Sequence, residues 1–294
     1  MNTQRKISLA ALVALLTIHA CTAPASQESV QERKVNLIYT DWSEAIALTN
    51  LAKILLEEQM AFEVQMKLTD VETAYAEVAS GKADVFADAW LPETHKHYLE
   101  THANAIEQLG IIYPHARTGL VVPAYSQYQS IEDLKNKDIE IVGIETEAGV
   151  MYQTRYAIDQ YGLDQAQLHS LSEQDMTEAF SESFKRREEI VITGWEPHWL
   201  FARYELRFLD DPMQVFGAQE NIYAVGNKSL PERLPTVARF FERMQLSERQ
   251  INSLIYFMHS EADPEDGVRE WIHKNEYIVN QWVKNLKPER KKIM

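Results

Sequence analysis

Two hydrophobic periods alternate along this chain, one of about two residues and one of about 3.6, and their alternation predicts strand followed by helix, repeatedly. VNLIYT at 35–40 reads as a strand, and SEAIALTNLAKILLEEQ at 43–59 as a helix with Ser43 a plausible cap. FEVQMKL at 62–68 is a second strand, with a helix from about 71 to 79. ADVFADA at 83–89 is a third, with a helix from Pro92. GLVVPAY at 119–125 reads as a crossing strand and SIEDL at 130–134 as a short helix.

A second set follows: strand IEIVGI at 139–144, a helix from about 149 to 160, strand QLHSLS, helix EQDMTEAFSESFKRR, and strand EIVITG at 189–194. LRFLDD is a candidate further strand. NIYAVGN at 221–227 reads as a return crossing, and mostly helical sequence runs on to about 284. Such βαβα alternation predicts a mostly parallel sheet covered on both faces. Two sets with two apolar crossings suggest two lobes, one of 35–118 plus 224–294 and one of 119–223, with a ligand cleft between them.

The N-terminus departs from this pattern. QRK followed by LAALVALLTI is a charged segment before an apolar run too short to span a bilayer, which reads as a signal peptide over 1–20. TIHAC then places Cys21, the one cysteine, where a bacterial lipobox would have it, so Cys21 is the candidate lipidation site. The alternative is an ordinary secretory signal cleaved nearby, after APA. Either way the chain is expected to be exported, periplasmic or on the outer face of the cytoplasmic membrane, with residues 21–34 as a tether.

Composition narrows the partners. The net charge is −15 over 294 residues, which disfavours nucleic acid and anionic lipid surfaces. A single cysteine excludes a disulfide framework.

The tryptophans carry the candidate chemistry. Trp42 follows the strand at 35–40, Trp90 the strand at 83–89, and Trp195 the strand at 189–194, where open α/β sheets bind ligands. A quaternary ammonium has no hydrogen-bond donor, and aromatic faces offer it apolar contact and a negative quadrupole. The alternative is that these tryptophans plug core edges. Trp199, Trp271 and Trp282 lie in helix-like segments and are assigned to packing.

DWSE at 41–44, DAWLPETHK at 88–96, VGIETEAGVM at 142–151 and TGWEPHWLFARYELRFLDDP at 193–212 resemble the glycine betaine substrate-binding proteins of ABC transporters. The resemblance implies an α/β, two-lobed type II periplasmic-binding-protein fold with a ligand cleft between the lobes. It implies a cation cage of Trp42, Trp90 and Trp195. It also implies a carboxylate site formed by His95 and the backbone amides of Gly149 and Val150. Gly149 and Val150 open a predicted helix, whose free N–H groups suit an anion, and a protonated His95 would add a charge-assisted bond. A membrane permease is the implied partner; the chain is expected to act as a monomer, without cofactor or metal.

One departure concerns ligand choice. Where the family often has a Pro-Gly pair before the carboxylate-binding glycine, this chain has Glu145-Thr146-Glu147-Ala148. Glu147 either points to solvent or shifts preference toward a ligand with a longer or missing carboxylate arm, with carnitine, choline and dimethylsulfoniopropionate all open. Asp41 is a cation partner or a cap for the helix at 43, and Glu196 has no assigned role.

An enzyme is the competing class. No GxSxG, HExxH, Walker A or GxGxxG motif is present. THKH at 94–97 has a zinc-like spacing without a supporting cluster, and Asp84 and Asp88 read as cleft lining or caps. A ligand-sensing domain of the same fold is the remaining alternative.

Overall fold

The computed structural model describes residues 33–286; the signal peptide, Cys21 and nearly all of the tether lie outside the described residues. The first βα run is β1 (Lys34–Tyr39), α1 (Ser43–Ile54), β2 (Glu63–Leu68), α2 (Val71–Ser80), β3 (Val85–Leu91) and α3 (Lys96–His102). The long strand β4 (Ile106–Pro123) then crosses to a second run of β5 (Ile139–Gly143), α4 (Gly149–Tyr161), β6 (Ala166–Ser170), α5 (Glu173–Arg186), β7 (Val191–Glu196) and α6 (Trp199–Arg203). After β8 (Leu206–Phe208), β9 (Glu220–Asn227) returns. The helices α7 (Leu230–Arg233), α8 (Pro235–Arg243), α9 (Glu248–Ser260), α10 (Pro264–Lys274) and α11 (Glu276–Trp282) follow.

The strands join in the order β2-β1-β3-β9-β4-β7-β5-β6, with β8 on β4. Within each run the pairing is parallel: β1 with β2 and β3, and β5 with β6 and β7. The two sets meet through antiparallel β4 and β9. The first part of β4 pairs with β9, and Arg117 to Pro123 pair with β7 and β8. A parallel sheet buried on both faces requires continuous apolar strands, and β3 is buried at every position.

Most elements fall where the periodicity places them, with physically informative differences. β4 begins thirteen residues before the expected crossing at 119. Three register shifts against β9 break its period-2 signal, so the stretch from Ile106 does not read as a strand. β3 and β7 each run two residues past the expected ends. Trp90 pairs with Ile222 of β9 and Trp195 with Thr118 of β4, so both tryptophans belong to their strands. A proline follows each strand, and its missing N–H cannot extend the ladder.

The helix expected from Pro92 starts only at Lys96, because the buried Glu220 carboxylate takes the N–H groups of Glu93 and Thr94 at 3.1 Å each. Ser43 does not cap α1. Trp42 occupies the cap position, and the Ser43 hydroxyl donates instead to Glu173. α1 is buried on almost all sides and continues as a wider π turn through Leu55–Gln59. Trp271 and Trp282 stack at 6.5 Å in the core, as their packing assignment expects.

Candidate functional site

The carboxyl ends of β1, β3, β5 and β7 converge on one narrow cavity of about 20 Å³. Its wall is made by Trp42, Glu44, Trp90, Thr94, His95, Thr118, Ile144, Ala148, Gly149, Val150 and Trp195. All six residues singled out as ligand-binding therefore share one wall, drawn from both βα runs. No lysine or arginine contributes to it.

Each of these three indoles, Trp42, Trp90 and Trp195, is held by an acid. Trp42 Nε1 donates to Glu145 at 3.3 Å, Trp90 Nε1 to Asp88 at 3.0 Å, and Trp195 Nε1 to Glu44 at 3.0 Å. A buried indole N–H needs an acceptor, and an acceptor at the ring edge fixes the ring plane. Asp88 and Trp90 share a strand face, two residues apart. The other two bonds join the first βα run to the second. The wall is thus aromatic with Glu44 in it, and Glu145 and Asp88 hold the other two indole edges, an environment complementary to a cation without donors.

A third acid joins the runs beside it. Glu173, at the start of α5, accepts the Ser43 N–H at 2.9 Å and the Ser43 hydroxyl, and pairs with His198 Nε2 at 3.1 Å. Burial pushes Glu173 up, but the hydrogen bond and charge of His198 and the donations from Ser43 outweigh it, leaving the carboxyl below its ordinary range. His198 also accepts the Leu200 N–H at 3.1 Å, and Trp199 stacks on its ring at 5.6 Å, so both pack the turn behind Trp195.

The N-terminus of α4 forms another part of the cavity wall. Ala148 provides no side-chain cap, and the N–H groups of Gly149 and Val150 have no intrahelical acceptor. A Cβ on Gly149 would lie 2.3 Å from Thr94 Cγ2 and 2.5 Å from the Thr94 carbonyl oxygen. Only glycine lets the helix end approach that closely. His95 lies in the turn before α3 and is 1% exposed.

His95 Nδ1 accepts the Trp90 backbone N–H at 3.1 Å, so its ring proton sits on Nε2. Burial, with a smaller push from His97, lowers its pKa to about 3. Both the burial and the occupied Nδ1 favour the neutral ring, with its proton on Nε2.

Other candidates lie elsewhere. Asp41 and Glu147 are exposed and border a separate surface recess with Glu145. Asp41 caps nothing, since α1 has no side-chain cap. Glu196 pairs with Arg117 at 2.9 Å, facing away. Asp84 accepts the Asn36 N–H at 2.7 Å and binds Arg233, so it is neither cavity lining nor a cap. His97 packs on Tyr98. Glu44, Thr94, Thr118, Glu145 and Glu173 were not anticipated. DWSE carried a usable signal for Glu44, whereas nothing local marked Glu173.

The family described as the substrate binding domain of ABC-type glycine betaine transport systems matches residues 33–274. The glycine betaine/carnitine transport binding protein GbuC of Listeria monocytogenes is 32% identical over 174 residues, 58% of this chain. That match spans 57% of the length of the curated relative. The lactococcal OpuAC in its closed-liganded conformation complexed with glycine betaine superposes with a TM-score of 0.82 at 33% identity, covering 86% of this chain and 100% of that one. The glycine betaine/L-proline-binding protein ProX from Borrelia burgdorferi gives 0.81 at 29% identity, over 87% and 97% of the two chains.

The fold is thus the α/β type II periplasmic-binding-protein fold, and no described helix is long and apolar enough to cross a membrane. The chain belongs to the family of substrate-binding domains of ABC-type glycine betaine transport systems.

Proposed function

We propose that this protein captures glycine betaine in the tryptophan-lined cavity and delivers it to an ABC permease. The trimethylammonium lies against Trp42, Trp90 and Trp195. Each aromatic face contributes about 0.5–2 kcal/mol, a large share of the roughly −8 kcal/mol of a micromolar complex. The ligand carboxylate accepts from His95 Nε2–H and from the Gly149 and Val150 amides, aided by the positive end of the α4 dipole. The observation that carries this reading is the placement of three buried indoles and an uncapped helix end around one cavity.

Capture works by closure of two lobes, 35–118 plus 224–294 against 119–223, hinged on β4 and β9. The ligand touches residues of both lobes, so it favours the closed form. The closed monomer then docks on the permease. Export by the N-terminal segment, and anchoring through an acylated Cys21, keep the protein at the outer face of the cytoplasmic membrane.

A second reading, preference for choline, is favoured by the buried Glu44 and Asp88, which complement a ligand of net positive charge. Isothermal titration with glycine betaine, carnitine and choline decides between them. Tight betaine with weak choline is expected. Choline binding tightest would remove the carboxylate site and retain the cage, and no binding of any of the three would remove both.

A further inference from the structure

Two of the acids behind the cage have no counter-charge. Glu44 and Asp88 are each 1% exposed, and among the described residues neither forms an ion pair. Asp88 Oδ2 has no hydrogen-bond partner at all, while Oδ1 holds Trp90. Glu44 holds Trp195 and lines the cavity itself.

The groups packed around the pair do not neutralise it. Glu173 on α5 is a further acid, already matched by His198 and Ser43. His259 on α9 bonds the Ser43 hydroxyl at 3.2 Å and packs on Trp199, reaching neither acid. Tyr75 on α2 is buried with an unpartnered hydroxyl, and His95 is neutral. Glu220 on β9 is occupied by Thr94 and the amides beside it, and Glu145 by Trp42.

Two ionised carboxylates at this depth require either a proton or a cation. Resting on the betaine-cage reading, we propose that Glu44 in the cavity wall and Asp88, bonded to Trp90 outside it, form an acidic floor for which a proton and the ligand's quaternary ammonium compete. Burial raises both carboxyls well above their ordinary range. Asp88 and Glu173 add to the rise at Glu44, and Glu173 adds to it at Asp88.

With the cavity empty, the pair holds a proton. An arriving cation favours the ionised pair, and the proton leaves to solvent. Quaternary ammonium does not titrate, so that proton comes from the protein. Affinity therefore rises with pH until the empty pair is ionised, and falls by up to tenfold per pH unit below that point. The floor is also a specificity device, because a neutral isostere of the ligand cannot displace the proton.

The test is isothermal titration of the full protein with glycine betaine from pH 8 to pH 5, in buffers of different ionisation enthalpy. Wild type should lose at least tenfold in affinity across that range and release protons on binding. Glu44→Gln and Asp88→Asn each keep an acceptor for the indole. Both should bind more weakly than wild type at pH 8, approach it at pH 5, and show a flattened profile. A flat wild-type profile, or an unchanged slope in both variants, overturns the competition while leaving the cage intact. Absence of betaine binding at every pH overturns the cage reading and the competition with it.

Discussion

Trp195 Nε1 donates to Glu44 Oε2 at 3.0 Å across 151 positions of the chain. One bond therefore orients the Trp195 ring, gives a buried acid a donor and joins β7 to α1. If the proposed capture holds, binding and closure share this contact, and substitutions here should act on affinity more than on folding.

Trp195→Ala removes a cage face and strips Glu44 of its donor. Betaine affinity should fall by an order of magnitude or more, with the secondary structure retained in circular dichroism. Trp195→Phe keeps a face without the N–H and should fall between the two. Unchanged affinity in the alanine variant contradicts the cage assignment.

Gly149→Ala drives a methyl group into Thr94, with contacts of 2.3 and 2.5 Å. The helix end must back away, and the Gly149 and Val150 amides withdraw with it. Betaine affinity should drop at least tenfold in titration, while choline, which has no carboxylate, should lose less. Equal losses for both ligands would place the damage in closure as a whole.

Glu173 holds Ser43 and His198 together across the two βα runs. Removing a buried carboxylate strands each donor it held, at about 1–3 kcal/mol per unsatisfied group. Glu173→Ala should spend most of that on the closed form, weakening betaine by about a hundredfold or more with a smaller shift in the melting temperature of the ligand-free protein. A large melting shift at unaltered affinity would make Glu173 a folding residue only.

His95 supplies a pH signature in stability. Its folded pKa, lowered to about 3, lies below the ordinary histidine value. Between the two values the unfolded chain binds a proton that the folded chain does not. Its contribution is therefore complete above about pH 6.5 and is lost as pH falls, by about 1.4 kcal/mol per pH unit. His95→Asn offers an acceptor to the Trp90 amide without titrating. The stability gap between wild type and this variant, measured by urea unfolding, should shift against wild type from pH 7 to pH 4.5. A gap independent of pH would mean that His95 is charged or solvated.

The order of strands and helices was legible because side-chain periodicity is a local property. It set Trp42, Trp90 and Trp195 near the ends of three strands, and Gly149 at the head of α4, before any contact was known. The first part of β4 was not legible: its register slips against β9, a partner about a hundred residues away, scramble the alternation that a strand otherwise shows.

Within the site, local sequence identified the aromatic faces and the helix end. Only the tertiary structure decided which acids back the indoles, that Glu145 and not Glu147 reaches Trp42, and that His95 is neutral. It also decided that Ser43 serves Glu173 and does not cap α1. Each of these depends on burial and on the meeting of two distant segments, and a desolvated carboxylate or a ring nitrogen takes its state from that meeting. The sequence thus determined what could bind, through residue type at strand ends, and the packing of one βα run against the other decided the charge that waits there.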